Sequence, residues 1–255
     1  MKAGRNGAVL VQARGADGVA VECVVKLAKA MAREHASMLP IPYLCEWLAA
    51  AIGRALGIRV CTPLEVVITN DYAEALADLG QRAIALGSLG SAFGSEHVSA
   101  GVTQYTADLP DPALRTPAAE LIAFDVFIHN PDRRRTNPNL FVSRDNLLAF
   151  DHGDAFSFLF HIFGAPDPAT DTLSSSIAEH ACRPWLFKRE FSLVRFRSAV
   201  EQLTDQVFYE MMAVTPPAWT IGPAEGKLRY VVDVMKKRRD AVNDWLPKVE
   251  AWLTK

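Results

Sequence analysis

Between His129 and Gly153, acidic and amide side chains are concentrated on two short stretches that flank a pair of apolar segments. Asp132-Arg133-Arg134-Arg135-Thr136-Asn137 sets an Asn five residues after an Asp. That is the interval at which a phosphoryl-transfer loop uses the Asp to accept a hydroxyl proton and the Asn to hold Mg²⁺. Asp151-His152-Gly153 follows the second apolar segment. An Asp leaving a hairpin faces the loop that entered it and supplies a second hard-oxygen ligand for one cation. Phosphoryl transfer needs both parts, a carboxylate beside the attacking oxygen and separate oxygens for the metal that neutralises the phosphates.

Taken singly, the two motifs also read as ordinary polar turns, with Asp132 capping the turn beside Pro131. Their order, spacing and intervening hairpin favour the chemical reading. The three arginines, Arg133 to Arg135, read either as a solvated face or as ligands for a phosphate. Upstream, Val24-Val25-Lys26 ends an apolar run on a lysine, from which an ammonium reaches nucleotide phosphates. Glu46, near the start of an amphipathic run, is the candidate to pair with Lys26 and aim it, with Glu34 as its competitor. Backbone N–H groups of the turn Gly15-Ala16-Asp17-Gly18 are a candidate phosphate cover, although the fuller Gly-x-Gly-x-x-Gly pattern is missing.

The elements that must position these residues follow from pattern. Apolar Ala8 to Ala13 and β-branched Val19 to Leu27 flank Asp17-Gly18, which predicts a hairpin. Pro42 suits a first helical turn, and Leu44, Trp47, Leu48, Ile52 and Leu56 recur at helical spacing until Gly57 stops them. Leu64 to Thr69 reads as a strand, with Asn70 capping a helix over Tyr72 to Leu79. Gly87 to Pro112 is rich in Gly, Ser and Ala without periodicity and reads as a connector. Thr116-Pro117 opens a helix that is apolar nearly all round and must be buried. Asn139 to Val142 and Leu147 to Phe150 form a second hairpin around Ser143-Arg144-Asp145-Asn146. After it, Leu186 to Leu203 and Lys227 to Leu246 are expected to be helical, Phe156, Phe158, Phe160 and Phe163 to be core, and Trp185, Trp219, Trp245 and Trp252 to pack the helical part.

Asn130-Pro131-Asp132-Arg133 with Asn137-Pro138-Asn139-Leu140, followed by Phe150-Asp151-His152-Gly153, resembles the catalytic core of HipA-like kinases, which are distantly similar to phosphatidylinositol 4-kinases. Val24-Val25-Lys26 and the helix through Glu46-Trp47-Leu48 to Ala55-Leu56-Gly57-Ile58 are similar to that family's phosphate-binding lysine strand and following helix. The resemblance implies an α+β, two-lobed protein-kinase-like fold, with a small β-rich N-lobe over residues 1–95 and a larger, mainly helical C-lobe over 96–255. It implies Asp132 as catalytic aspartate, Asp151 and Asn137 as metal ligands, Lys26 as phosphate lysine and Glu46 as its partner. Asn139 shares the ligand assignment, because Asn137 fits by interval and Asn139 by the apolar residues after it. ATP and Mg²⁺ are the implied cofactors, and the acceptor is a hydroxyl of a protein, Ser or Thr, or of a small molecule.

The whole chain is compatible with this. In its 255 residues, 27 basic and 29 acidic side chains nearly cancel, so no global charge points to nucleic acid or an anionic membrane surface. Cys23, Cys45, Cys61 and Cys182 lack metal-ligand spacing and read as reduced, buried and inert. The first residues are too short and polar for a secretory signal, and no apolar run approaches the ~20 residues of a membrane span, so a cytoplasmic location is expected. Two other classes fit less well: a nucleotide-binding module of the same fold without turnover, and a metal-dependent phosphohydrolase built on His129, Asp132, Asp151 and His152.

Overall fold

The computed structural model describes residues 8–35, 40–98, 100–106, 108, 111–143, 146–160 and 166–254, with only the backbone of 32–35. Its N-terminal part is an antiparallel sheet and its C-terminal part is mainly helical. Strands β1 (Ala8–Arg14) and β2 (Ala20–Lys26) form the expected hairpin, with Gly18 in the left-handed region at φ 83° where a side chain would be strained. Helices α1 (Ala28–His35) and α2 (Ile41–Ala55) follow. Pro42 lies in the first turn of α2, and Gly57, at φ 69°, reverses the chain beyond it. Strand β3 (Pro63–Ile68) leads to α3 (Asn70–Ala75), α4 (Leu79–Leu86) and β4 (Gly90–Glu96).

Several local expectations are corrected. The cap before α3 is Thr69, whose Oγ1 accepts the Tyr72 N–H, and the helix stops at Ala75; α4 is separate, capped by Asp78. More consequential is β4, which lies where the Gly-Ser-Ala composition predicted a connector. It occupies an inner position in the four-stranded order β1-β2-β4-β3, with Val25 opposite Gly94 on one side and Glu65 opposite Phe93 on the other. Its poor strand composition is explained by crowding: a Cβ on Gly94 would stand 2.7 Å from Val66 Cγ2.

A second, three-stranded sheet joins β5 (Thr103–Gln104), β6 (Leu140–Val142) and β7 (Leu147–Ala149). The β6–β7 hairpin is the expected one, and its turn closes with the Ser143 N–H on the Asn146 carbonyl; the turn residues Arg144 and Asp145 lie outside the described residues. Between β5 and β6 runs α5 (Arg115–Phe127), every residue of which from Ala118 to Phe127 is buried, as an all-round apolar helix requires. Segment 59–61 pairs with β7, Ala149 N–H donating to Arg59 O and Cys61 N–H to Ala149 O, so the second hairpin is stitched to the N-terminal part.

Beyond the hairpin come α6 (Ser174–Glu179), α7 (Val194–Glu201), α8 (Asp205–Ala213), α9 (Pro223–Asp240) and α10 (Val242–Leu253). The helix expected from Leu186 begins only at Val194, after Lys188 adopts φ 52°, and the one expected over 227–246 is two helices with Pro247 inside the second. Phe156, Phe158, Trp185 and Trp245 are core residues of the larger apolar cluster, with Phe160 and Trp252 packed against it; Phe163 lies outside the described residues. Trp219 departs from expectation. It joins the N-terminal cluster, 5.5 Å from the Tyr43 ring and 5.7 Å from Trp47, and so binds the C-terminal part to α2. No helix among the described residues is long and apolar enough to cross a membrane.

Candidate active site

Three pieces of chain meet in a cleft of about 560 Å³: the end of β2, the first turns of α2, and the loops at the open end of the β6–β7 hairpin. Lys26 is the last residue of β2, and its carbonyl accepts a hydrogen bond from the Tyr43 hydroxyl at 2.7 Å, which fixes the strand end on α2. Its ammonium is bonded to Glu46 Oε1 and lies 2.5 Å from Asp151 Oδ1. Glu46 Oε2 accepts the His152 N–H at 2.7 Å, so α2 holds the Asp-His-Gly turn as well as the lysine.

The electrostatics follow from one cation among several carboxylates. Burial alone would lower the Lys26 pKa, but the charges of Glu46 and Asp151 and their hydrogen bonds outweigh it and raise it. Burial likewise opposes ionisation of Asp151, yet Lys26 holds it below the usual carboxylate range. Glu46 is pushed up to about 7 by burial, against the pull of Lys26. Both groups are thus raised, which favours the ammonium and opposes the carboxylate, while donors on both Glu46 oxygens work for its ionised form. Asp132, across the cleft, is pushed up to about 6 by burial and by the charges of Asp154 and Asp151.

Asp132 Oδ2 accepts the Asn137 side-chain N–H at 2.6 Å and a longer contact from Asn139 at 3.5 Å. Both asparagines therefore present an amide nitrogen to Asp132 and keep a carbonyl oxygen for another partner. Asn139 and Asp151 lie at φ 44° and 57°, left-handed conformations that cost about 1–3 kcal/mol each in a residue with a side chain. Such strain gathers where loops must aim side chains.

Lys26, Glu46, Asp132, Asn137, Asn139 and Asp151, all singled out by sequence, line this one cleft. Gly15 and Gly18 do not. Lys26 pairs with Ala8 at one end of the first hairpin and Ala20 with Arg14 at the other, which puts the glycine turn about 20 Å from the lysine. The side chain of Glu34 is outside the described residues. The three arginines divide: Arg133 is 1% exposed and spent on internal bonds, Arg134 contacts the Pro131 carbonyl and Glu179 at the surface, and Arg135 is exposed. Cys61 is corrected too. It is part-exposed and lines the cleft, while Cys23, Cys45 and Cys182 are buried and all four are free.

Sequence reading missed Asp154 and Thr136, which also line the cleft, and the wall formed by Phe93 and Ser95 of β4. Asp154 stands three residues beyond Asp151 and was findable as a further carboxylate on the same turn. Nothing local marks Phe93 and Ser95, which reach the cleft only through strand order.

The family model for HipA-like kinases matches residues 31–244, well over half of the chain. The chain belongs to the HipA-like kinase family. No curated protein matches it. Within the HipA-like match lie Glu46, both loops and the helical part as far as the start of α10, whereas Lys26 precedes it. The place of Lys26 in the cleft thus rests on the geometry and not on the matched segment, and kinase membership implies phosphotransferase activity with ATP.

Among the described residues, no three His, Cys, Asp or Glu side chains converge to hold a metal ion by themselves. A Mg²⁺ site fits nevertheless, because that ion is commonly held by one or two carboxylates, an amide oxygen and the phosphates it bridges. His129 is turned elsewhere, toward Ser157 and Asp171, and His152 is buried with its pKa lowered to about 3 by burial and then by Arg133. The histidine-based hydrolase site is therefore not assembled.

Proposed function

We propose that this HipA-like kinase transfers the γ-phosphoryl group of ATP, with Mg²⁺, to a hydroxyl of a protein Ser or Thr, across a cleft between two kinase-type lobes. The observation that carries the proposal is the meeting of Lys26, Glu46, Asp151 and Asp132 in one cleft although they come from separate elements. ATP and Mg²⁺, when bound, supply the phosphoryl donor and the charge that makes its transfer possible.

The chain's own residues do the rest. Lys26 binds phosphate oxygens, kept charged and aimed by Glu46. Asp151 and the carbonyl oxygen of Asn137 or Asn139 are the hard-oxygen donors for the cation. Asp132 accepts the hydrogen bond of the acceptor hydroxyl and orients it, held in turn by the amide nitrogens of Asn137 and Asn139. Protein Ser/Thr as acceptor is supported by the resemblance to HipA-like enzymes, which include protein kinases. A cytoplasmic location is supported by the four free cysteines.

Incubation with labelled ATP and Mg²⁺, alone and with cell lysate, tests the proposal. Label is expected on the chain itself or on a protein target. Nucleotide binding with no label on any protein would replace the reading with that of a binding module, and label confined to lipid or small molecules would replace the acceptor.

A further inference from the structure

Behind the cleft, with none of its own side chains among the lining residues, lies a closed polar unit whose centre is Arg133. Its guanidinium is bonded to Asp125 through Nε at 2.6 Å and Nη2 at 3.3 Å. Its remaining nitrogen, Nη1, donates to the carbonyls of Asn139 at 2.5 Å and Phe150 at 3.2 Å. Those are the residues just before β6 and just after β7, each adjoining one of the two loops. Asp125, from α5, also accepts the Asn130 side-chain N–H at 2.8 Å and lies 2.9 Å from His180 Nε2. The Cys182 N–H donates to His180 Nδ1 at 3.1 Å, so the imidazole carries its hydrogen on Nε2 and donates it to Asp125. Asn130 Oδ1 accepts the Asp132 N–H at 3.2 Å, which closes the path to the catalytic loop.

We propose that Asp125, Arg133 and His180 form a positioning unit that sets the distance between the Asp132 loop and the Asp151 loop. Arg133 is the only one of the run of three arginines that does this, and it does so without reaching ligand. Two observations carry the inference. One guanidinium bonds the carbonyls at both ends of the hairpin, and the residues it holds adjoin the left-handed Asp151 or are themselves left-handed, as Asn139 is. Without that clamp, two strained turns relax independently.

The functional part of the test rests on the kinase reading, and the structural part does not. Arg133→Lys retains the charge beside Asp125 but cannot span both carbonyls. Hydrogen exchange on the full chain is expected to rise together in segments 130–142 and 147–153. The Mg²⁺ concentration that half-saturates nucleotide binding is expected to rise about tenfold or more, as when an outer partner of a metal ligand is lost. Arg238→Lys is the matched control. Arg238 is equally buried and bonds the carbonyls of Pro168, Asp171 and Val126, so its loss should lower thermal stability without moving the Mg²⁺ requirement.

Should Arg133→Lys fail to fold, His180→Ala, which removes one donor and keeps the Asp125–Arg133 pair, is expected to loosen the same two segments to a smaller degree. Exchange that rises in one segment alone, or in neither, overturns the proposal, as does a Mg²⁺ shift equal to that of Arg238→Lys. A parent protein with no Mg²⁺-dependent nucleotide binding would sink the kinase reading instead, while the exchange result still decides the positioning unit.

Discussion

Two clusters of charged residues lie back to back across the loop that carries Asp132. Behind the loop, Asp125 is met by the Arg133 guanidinium, the His180 N–H and the Asn130 amide, so its oxygens are fully partnered and its charge is balanced. Burial opposes its ionisation, but Arg133 and His180 outweigh that and hold it below the usual carboxylate range. In front of the loop, Lys26 is shared by Glu46 and Asp151, and Asp132 and Asp154 add further negative charge to the same cleft. There burial and like charge win, and Asp132 rises to about 6. A closed and balanced cluster serves to hold shape. An open one with carboxylates in excess is arranged to receive a cation and the phosphates that accompany it.

The largest expected effect tests the open cluster. Asp132→Asn keeps the shape and removes the carboxylate, so phosphotransfer should fall by about 10²–10⁴-fold while nucleotide affinity stays within a few-fold. Equal turnover in the variant, measured with labelled ATP, would remove Asp132 from the chemistry. The closed cluster is broken by Asp125→Ala, which strands Arg133 and should cost about 3–5 kcal/mol in denaturant unfolding. A loss below about 1 kcal/mol would mean that water or another carboxylate replaces it.

Lys26→Met sharpens the contrast, because it deletes the lone cation the described cleft-lining residues supply. ATP affinity is expected to fall roughly tenfold, about 1.4 kcal/mol. The destabilisation should shrink as pH is lowered toward 7, since Glu46, already at about 7 beside the lysine, takes up a proton at still higher pH once that partner is lost. An affinity equal to the parent's by titration calorimetry would show that Lys26 does not contact phosphate.

The open cluster was largely legible in the sequence and the closed one was not. Asp132, Asn137 and Asp151 betray themselves by spacing, since the chemistry fixes how far along the chain two loops of one hairpin fall. Lys26 and Glu46 were legible more weakly, from a strand end and a helix start. Arg133 reads identically to Arg134 and Arg135 in sequence, because burial of an arginine is decided by the Asp125 and His180 that surround it and by no local pattern. The wall of β4 was hidden for a related reason. Gly90–Glu96 lacks strand propensity of its own and is a strand because β2 and β3 pair with it on both sides.

The smallest effect separates the clusters by the sign of a slope. Asp132 has an ordinary value of 3.8 and a folded value of about 6, so between those pH values the native chain holds a proton that the unfolded chain has released. Its contribution to stability is present below 3.8, declines as pH rises through that window and is gone above it. Asp125 works in reverse: its lowered value stabilises the fold above its ordinary 3.8, and that contribution is lost as pH falls below it. Because Asp132 is only half-buried, solvent screening limits its share to a few degrees of melting temperature at most. Comparing melting temperatures of the parent and Asp132→Asn from pH 4 to 7 without metal should show a falling component in the parent that the variant lacks. Mg²⁺ should flatten it, since a cation in the cleft favours the ionised carboxylate. Identical slopes in both proteins would mean that Asp132 is not under the charge pressure that distinguishes the cleft from the closed unit behind it.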